Sequence, residues 1–162
     1  MNKVLVHINE MERSEFNEQV GWIFENSPWV GNRVYDDRPF TTVEQLLQCF
    51  ADRVSEATEE EQLELLKAHP QLAAKVKMTV ASVSEQRSAG LDQLTSEEAA
   101  QFIANNEAYI QRFGFPFIMA VKGQTKEAIM ERMALRLTQG LQQEWETAFH
   151  EVNTIARFRL KE

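Results

Sequence analysis

Apolar residues recur at three- and four-residue intervals along this chain, the spacing that lines one face of an α-helix. Leu46, Leu47 and Phe50 form one such set, Leu63 and Leu66 a second, Phe102, Ile103, Tyr109, Ile110 and Phe113 a third, and Ile129, Met133 and Leu137 a fourth. Capping chemistry divides the chain more sharply than hydrophobicity does. A Ser, Thr or Asn three residues before Glu or Gln satisfies two helix-start amides reciprocally. Asn9 with Glu12, Thr41 with Glu44, Thr58 with Glu61, Ser82 with Glu85 and Thr95 with Glu98 all fit that pattern. Pro70 disfavours helical geometry in the residue before it and so puts His69 at a helix exit, while Gly90, Gly114 and Gly140 mark further breaks.

Two stretches depart from the helical pattern. VGWIFENSPWVGNRVYDDRPF carries two prolines and two glycines, which predicts short helices and turns. FPFIMAV, residues 115–121, has the look of a strand, but a lone short strand finds no partner here, and the run is read as extended buried chain. There is no internal repeat, low-complexity tract or linker. The pattern predicts an all-α protein, a compact single-domain bundle of about seven or eight helices spanning residues 1–162.

Composition narrows the function classes. With 162 residues, 43% hydrophobic and 26% charged, the chain is long enough for an ordinary core in one domain. A formal charge of −8 argues against a nucleic-acid surface, which needs clustered Lys and Arg to replace the counterions of phosphate. It does not exclude an anionic small molecule, since one arginine can bind a carboxylate bidentately. The single cysteine, Cys49, reads as a structural thiol, and His7, His69 and His150 are too dispersed for a metal motif, so no metal is expected. No run of about 18 apolar residues suggests a membrane span, and MNKVLVHINE is too weakly apolar for a secretory signal. A cytoplasmic location is the expectation.

The last helix separates two neighbouring arginines by phase alone. At about 100° per residue, Trp145, Val152 and Arg159 fall together with Phe149 and Ile155 beside them, whereas Arg157 projects almost opposite. Arg159 therefore lies along the apolar face and needs a partner there, either a protein carboxylate or a bound anion. His69 on its own reads as a helix-exit histidine, where the dipole favours imidazolium. Ser82 and Glu85 on their own read as a capping box. The glycines at 114 and 123 bracket a segment whose backbone amides can face a polar ligand or simply pack.

Taken in order, FENSPWVGNRVYDDRPF, AHPQLAAK, SVSEQRSAGLDQL, YIQRFGFPFIMAVKG and a closing helix with IARFRL cover nearly the whole chain. In that order they resemble the OHCU decarboxylase family, in its stand-alone bacterial form. The resemblance implies an all-helical, commonly dimeric enzyme that converts 2-oxo-4-hydroxy-4-carboxy-5-ureidoimidazoline (OHCU) to (S)-allantoin in uric acid degradation, with no cofactor. It further implies His69 and Glu85 as catalytic residues, the histidine as general acid and the glutamate orienting it. Pro70, Ser82, Gln86, Phe117, Ile118, Met119, Ala120, Val121 and Arg159 would contact the small-molecule substrate. One departure is visible: the residues after His-Pro are commonly Asp-Leu-Ala and here are Gln71-Leu72-Ala73. Without the resemblance, composition and periodicity also allow a helical small-ligand-binding or interaction module.

Overall fold

A computed structural model describes residues 3–73 and 79–161. Nine α-helices run through them: α1 Lys3–Glu10, α2 Arg13–Gln19, α3 Pro28–Val34, α4 Val43–Ser55, α5 Glu59–Lys67, α6 Val80–Ser88, α7 Ser96–Phe113, α8 Lys126–Arg136 and α9 Leu141–Leu160. Single 3-10 turns occupy Gly21–Ile23 and Tyr35–Asp37, and no strand occurs among the described residues. The all-α expectation holds, and the helix count exceeds the seven or eight predicted. The excess arises near the N-terminus, where α1 precedes the first expected helix start. The connection at 74–78, between the His-Pro pair and the SxxEQ motif, lies outside the described residues.

The caps explain which starts were placed correctly. Thr58 and Thr95 are reciprocal: each hydroxyl accepts from the backbone N–H three residues on, and Glu61 or Glu98 accepts from the threonine's own N–H. Thr42 rather than Thr41 caps α4, accepting from the Gln45 N–H at 3.0 Å, while Thr41 itself donates to the Gln45 side chain. Asn9 caps nothing. Its side-chain amide instead clasps the backbone of Phe40, donating to the carbonyl at 2.9 Å and accepting from the N–H at 2.8 Å. Thr79 caps α6, so Ser82 is not the start of a helix.

The helices are organised in two compact units, Met1–Ala68 with Ile155–Glu162, and His69–Thr154. In the first, α3 packs on α4 and on both 3-10 turns. Phe24 stacks on Phe50 with centroids 5.2 Å apart, and the Phe16 ring meets Tyr35 edge-on at 5.6 Å. Gly21 and Gly31 touch here, because a Cβ added at Gly31 would lie 2.8 Å from the Gly21 Cα. In the second unit, Tyr109 on α7 is ringed by Phe113, Phe115 and Phe117 at 4.6, 5.9 and 5.4 Å. Among the described residues no helix is long and apolar enough to cross a membrane.

These contacts set two stability expectations, both measured by urea unfolding. Gly31→Ala forces a methyl group into backbone and should cost about 1–3 kcal/mol, whereas Gly21→Ala, whose Cβ has 3.6 Å to its nearest neighbour, should cost clearly less. Thr79→Ala removes the α6 cap and should cost about 1 kcal/mol. Equal losses for the two glycines would contradict the close approach described here.

Candidate active site

His69 follows directly on α5, whose last residue is Lys67 and whose C-cap is Ala68. The helix ends where the sequence indicated, since Pro70 disfavours helical geometry in the residue before it. His69 is buried, Pro70 is half-buried, and both belong to the second unit. The turn that follows is held by side chains from two other helices. Asn106 of α7 donates its amide to the Leu72 carbonyl at 2.9 Å, and the Ala73 N–H donates to the Gln86 side-chain oxygen, also at 2.9 Å. Ala73 sits in the left-handed region at φ 61°, a conformation that needs such support.

Gln86 lies on α6, and this helix has an unusual distribution of residues. Thr79 accepts from the Ser82 N–H at 3.2 Å, so Ser82 is the third residue of the helix and Glu85 lies well inside it. The capping-box reading of that pair is therefore corrected, because the helix already has its cap three residues earlier. Ser82 and Gln86, one turn apart, are buried at 5% and 7% exposure, with Glu85 half-buried beside them, while Val80 is 87% exposed. A helix that buries serine and glutamine and exposes valine reverses the ordinary hydrophobic pattern. Such an arrangement turns polar side chains of α6 inward.

The 115–121 segment lies outside any helix or strand and is largely buried, as expected. Gly114, at φ 85°, ends α7 in a left-handed cap that only glycine adopts freely. Phe115, Phe117, Ile118, Met119 and Val121 are then buried, and Ala120 is half-buried. Arg136 of α8 donates to the Ile118 carbonyl at 2.6 Å and through its Nε to Glu144 at 2.7 Å, with its guanidinium 4.4 Å from the Phe117 ring centroid. The Tyr109 hydroxyl donates to the same Glu144 oxygen at 2.6 Å. Burial pushes the Tyr109 hydroxyl far above its ordinary range and the bond to Glu144 adds to the shift, so it is a fixed donor at neutral pH.

This Arg136–Glu144–Tyr109 network was not anticipated from the sequence, although a signal for it existed. Arg136 follows Ile129 by seven residues and Met133 by three, so it lies on their stripe, and these three are the buried residues of α8. Glu144 likewise heads a buried row on α9 that continues through Ala148 and Val152. A charge in phase with an apolar row was read as meaningful for Arg159 and applies equally to this pair.

Arg159 belongs to the first unit and is 2% exposed, as its phase predicted. Its guanidinium lies 3.4 Å from the fully buried carboxylate of Glu25 and 3.5 Å from the Ile23 carbonyl, over the Trp22 ring. Those separations exceed the roughly 2.7–2.9 Å of a tight charge-assisted bond. Arg157 is exposed and pairs with Glu44 at 2.6 and 2.8 Å. Of the candidate residues, Ser82, Glu85 and Gln86 share one helix tied to the turn after His69 and Pro70, the 117–121 segment lies in that same unit, and Arg159 lies with Glu25 in the other. Among the described residues, no group of three or more His, Cys, Asp or Glu is placed to hold a metal ion.

Comparison with known proteins bears directly on these motifs. A family model described as OHCU decarboxylase matches residues 9–161. The chain is 41% identical to a 2-oxo-4-hydroxy-4-carboxy-5-ureidoimidazoline decarboxylase of Halalkalicoccus jeotgali over 96% of this chain and 88% of that one. It is 42% identical to a protein of the same name from Haloferax volcanii, over 98% and 94%. Its fold is similar to a crystal structure of (S)-allantoin synthase, with a TM-score of 0.78 and 28% identity over 96% of this chain and 52% of that one. The chain belongs to the OHCU decarboxylase family.

Proposed function

We infer that this chain decarboxylates OHCU to (S)-allantoin in uric acid degradation. Family membership over residues 9–161 supports the reaction. The observation that carries the site is the polar face of α6, where Ser82 and Gln86 are buried and Gln86 is bonded to the turn after His69-Pro70. Gln86 also holds the turn at Ala73, and a buried polar helix face of this kind suits a polar substrate.

The chemistry asks little of the protein beyond orientation and one proton. The substrate carries its own electron sink: as the carboxylate leaves as CO2, the C–C bonding pair flows into the adjacent ring C=N. The carboxylate must therefore be held out of the ring plane, and the resulting carbanion-like carbon must be protonated on one face. A histidine side chain, whose reference pKa in peptides is about 6.5, suits that proton transfer at neutral pH, and His69 takes that role in this reading. In this reading Glu85 orients the imidazole and favours its charged form. Ser82 contributes a hydroxyl to ring or ureido groups, and Gln86, whose oxygen accepts from Ala73, contributes its NH2 donors. Arg159 binds substrate oxygens, with Glu25 beside the guanidinium to hold its plane. Pro70 and residues Phe117, Ile118, Met119, Ala120 and Val121 line the substrate. We further read residues 1–162 as one catalytic domain acting as a homodimer in the cytoplasm, which sedimentation equilibrium of the purified protein tests.

His69→Ala should fold as the wild type does, by far-UV circular dichroism, and lose about 10²–10⁴-fold in kcat on freshly generated OHCU. A folded variant with near-wild-type turnover removes His69 from the mechanism. Arg159→Lys keeps the charge but loses the planar fork and should raise KM about tenfold. An unchanged KM assigns Arg159 to its pair with Glu25 alone.

A further inference from the structure

We propose that Arg136 is a positioning residue of this active site: by fixing the carbonyl of Ile118 it fixes the peptide plane that presents the Met119 N–H to a substrate oxygen. The inference rests on the reading of residues 117–121 as substrate-lining.

The guanidinium of Arg136 is planar, and three contacts define that plane. One terminal nitrogen donates to the Ile118 carbonyl at 2.6 Å, Nε donates to Glu144 at 2.7 Å, and the face lies 4.4 Å from the Phe117 ring centroid. Glu144 is in turn fixed by the Tyr109 hydroxyl at 2.6 Å. The carbonyl of Ile118 and the N–H of Met119 belong to one trans peptide group, in which they point in opposite directions. Holding the carbonyl toward Arg136 therefore turns the Met119 N–H away from it. The same hydrogen bond polarises the peptide and makes that N–H a better donor to an anionic or carbonyl oxygen.

Packing alone does not account for the pair. Arg136 and Glu144 are 4% and 1% exposed, and an apolar pair of similar volume generally serves a core at least as well as a buried ion pair. What the apolar pair lacks is a donor that reaches a specific carbonyl. The segment needs one because it is buried and lies outside any helix or strand, so no helix or sheet ladder orients its peptides. Arg136 acts through the backbone, its charge neutralised by Glu144, and does not itself bind the substrate.

The test is steady-state kinetics on OHCU together with amide-resolved NMR, comparing wild type with Arg136→Met/Glu144→Gln. The double variant avoids an orphaned buried carboxylate and keeps an acceptor for Tyr109. Expected are a KM raised about tenfold with kcat within about threefold, the signature of lost uniform binding, and a displaced Met119 amide resonance. Arg136→Lys, which retains one donor, should recover part of the KM. A folded double variant with wild-type KM and an unmoved Met119 resonance overturns the proposal. If the double variant does not fold, Tyr109→Phe, which removes the hydroxyl's bond to Glu144 and its 3.4 Å contact with Arg136 but leaves the Arg136 bond to Ile118, should raise KM by a smaller factor, and no rise overturns it. If wild type fails to act on OHCU, the functional reading falls by itself. The Met119 resonance then decides the positioning claim, displacement supporting it and an unmoved signal overturning it.

Discussion

A buried chain that leaves the helical conformation must still satisfy its peptide groups, and in this protein side chains do so. The turn after His69-Pro70 is fastened by Gln86 and Asn106, and the 115–121 segment by Arg136. Helices satisfy their own backbones and can be placed by packing alone. The two irregular segments cannot, so the polar residues that serve them are buried on the helices beside them. That constraint shapes the fold: α6, α7 and α8 each supply a side chain that holds non-helical backbone.

Physical reasons separate what the sequence disclosed from what it concealed. Thr58 and Thr95 were legible as helix starts because Glu61 and Glu98 complete their boxes. Ser82 was misread because Thr79, three residues before it, has the same hydroxyl and serves as the cap instead. With Thr79 in that role, helix capping does not account for Ser82 and Glu85. Asn9 matched the spacing of a cap while its side chain was already committed to Phe40, a partner 31 residues away that no local pattern reveals.

Phase was the more reliable guide for charges. It distinguished buried Arg159 from exposed Arg157 correctly and, applied to α8, would have singled out Arg136 on the row of Ile129 and Met133. The partners of these arginines were not legible, since Glu25 lies 134 residues from Arg159, and spacing along one helix says nothing about another element. The chemistry proposed for the site, in contrast, rests mainly on the ordered set of motifs that the family shares, because a buried histidine or a polar helix face is consistent with many ligands.

The central claim is that this protein delivers a proton to one face of a decarboxylated ureidoimidazoline. Circular dichroism of the allantoin formed when the purified chain is added to freshly generated OHCU tests it most directly, against a buffer control. The account predicts rapid appearance of optically active (S)-allantoin. Product that forms no faster than in buffer and remains racemic would contradict it.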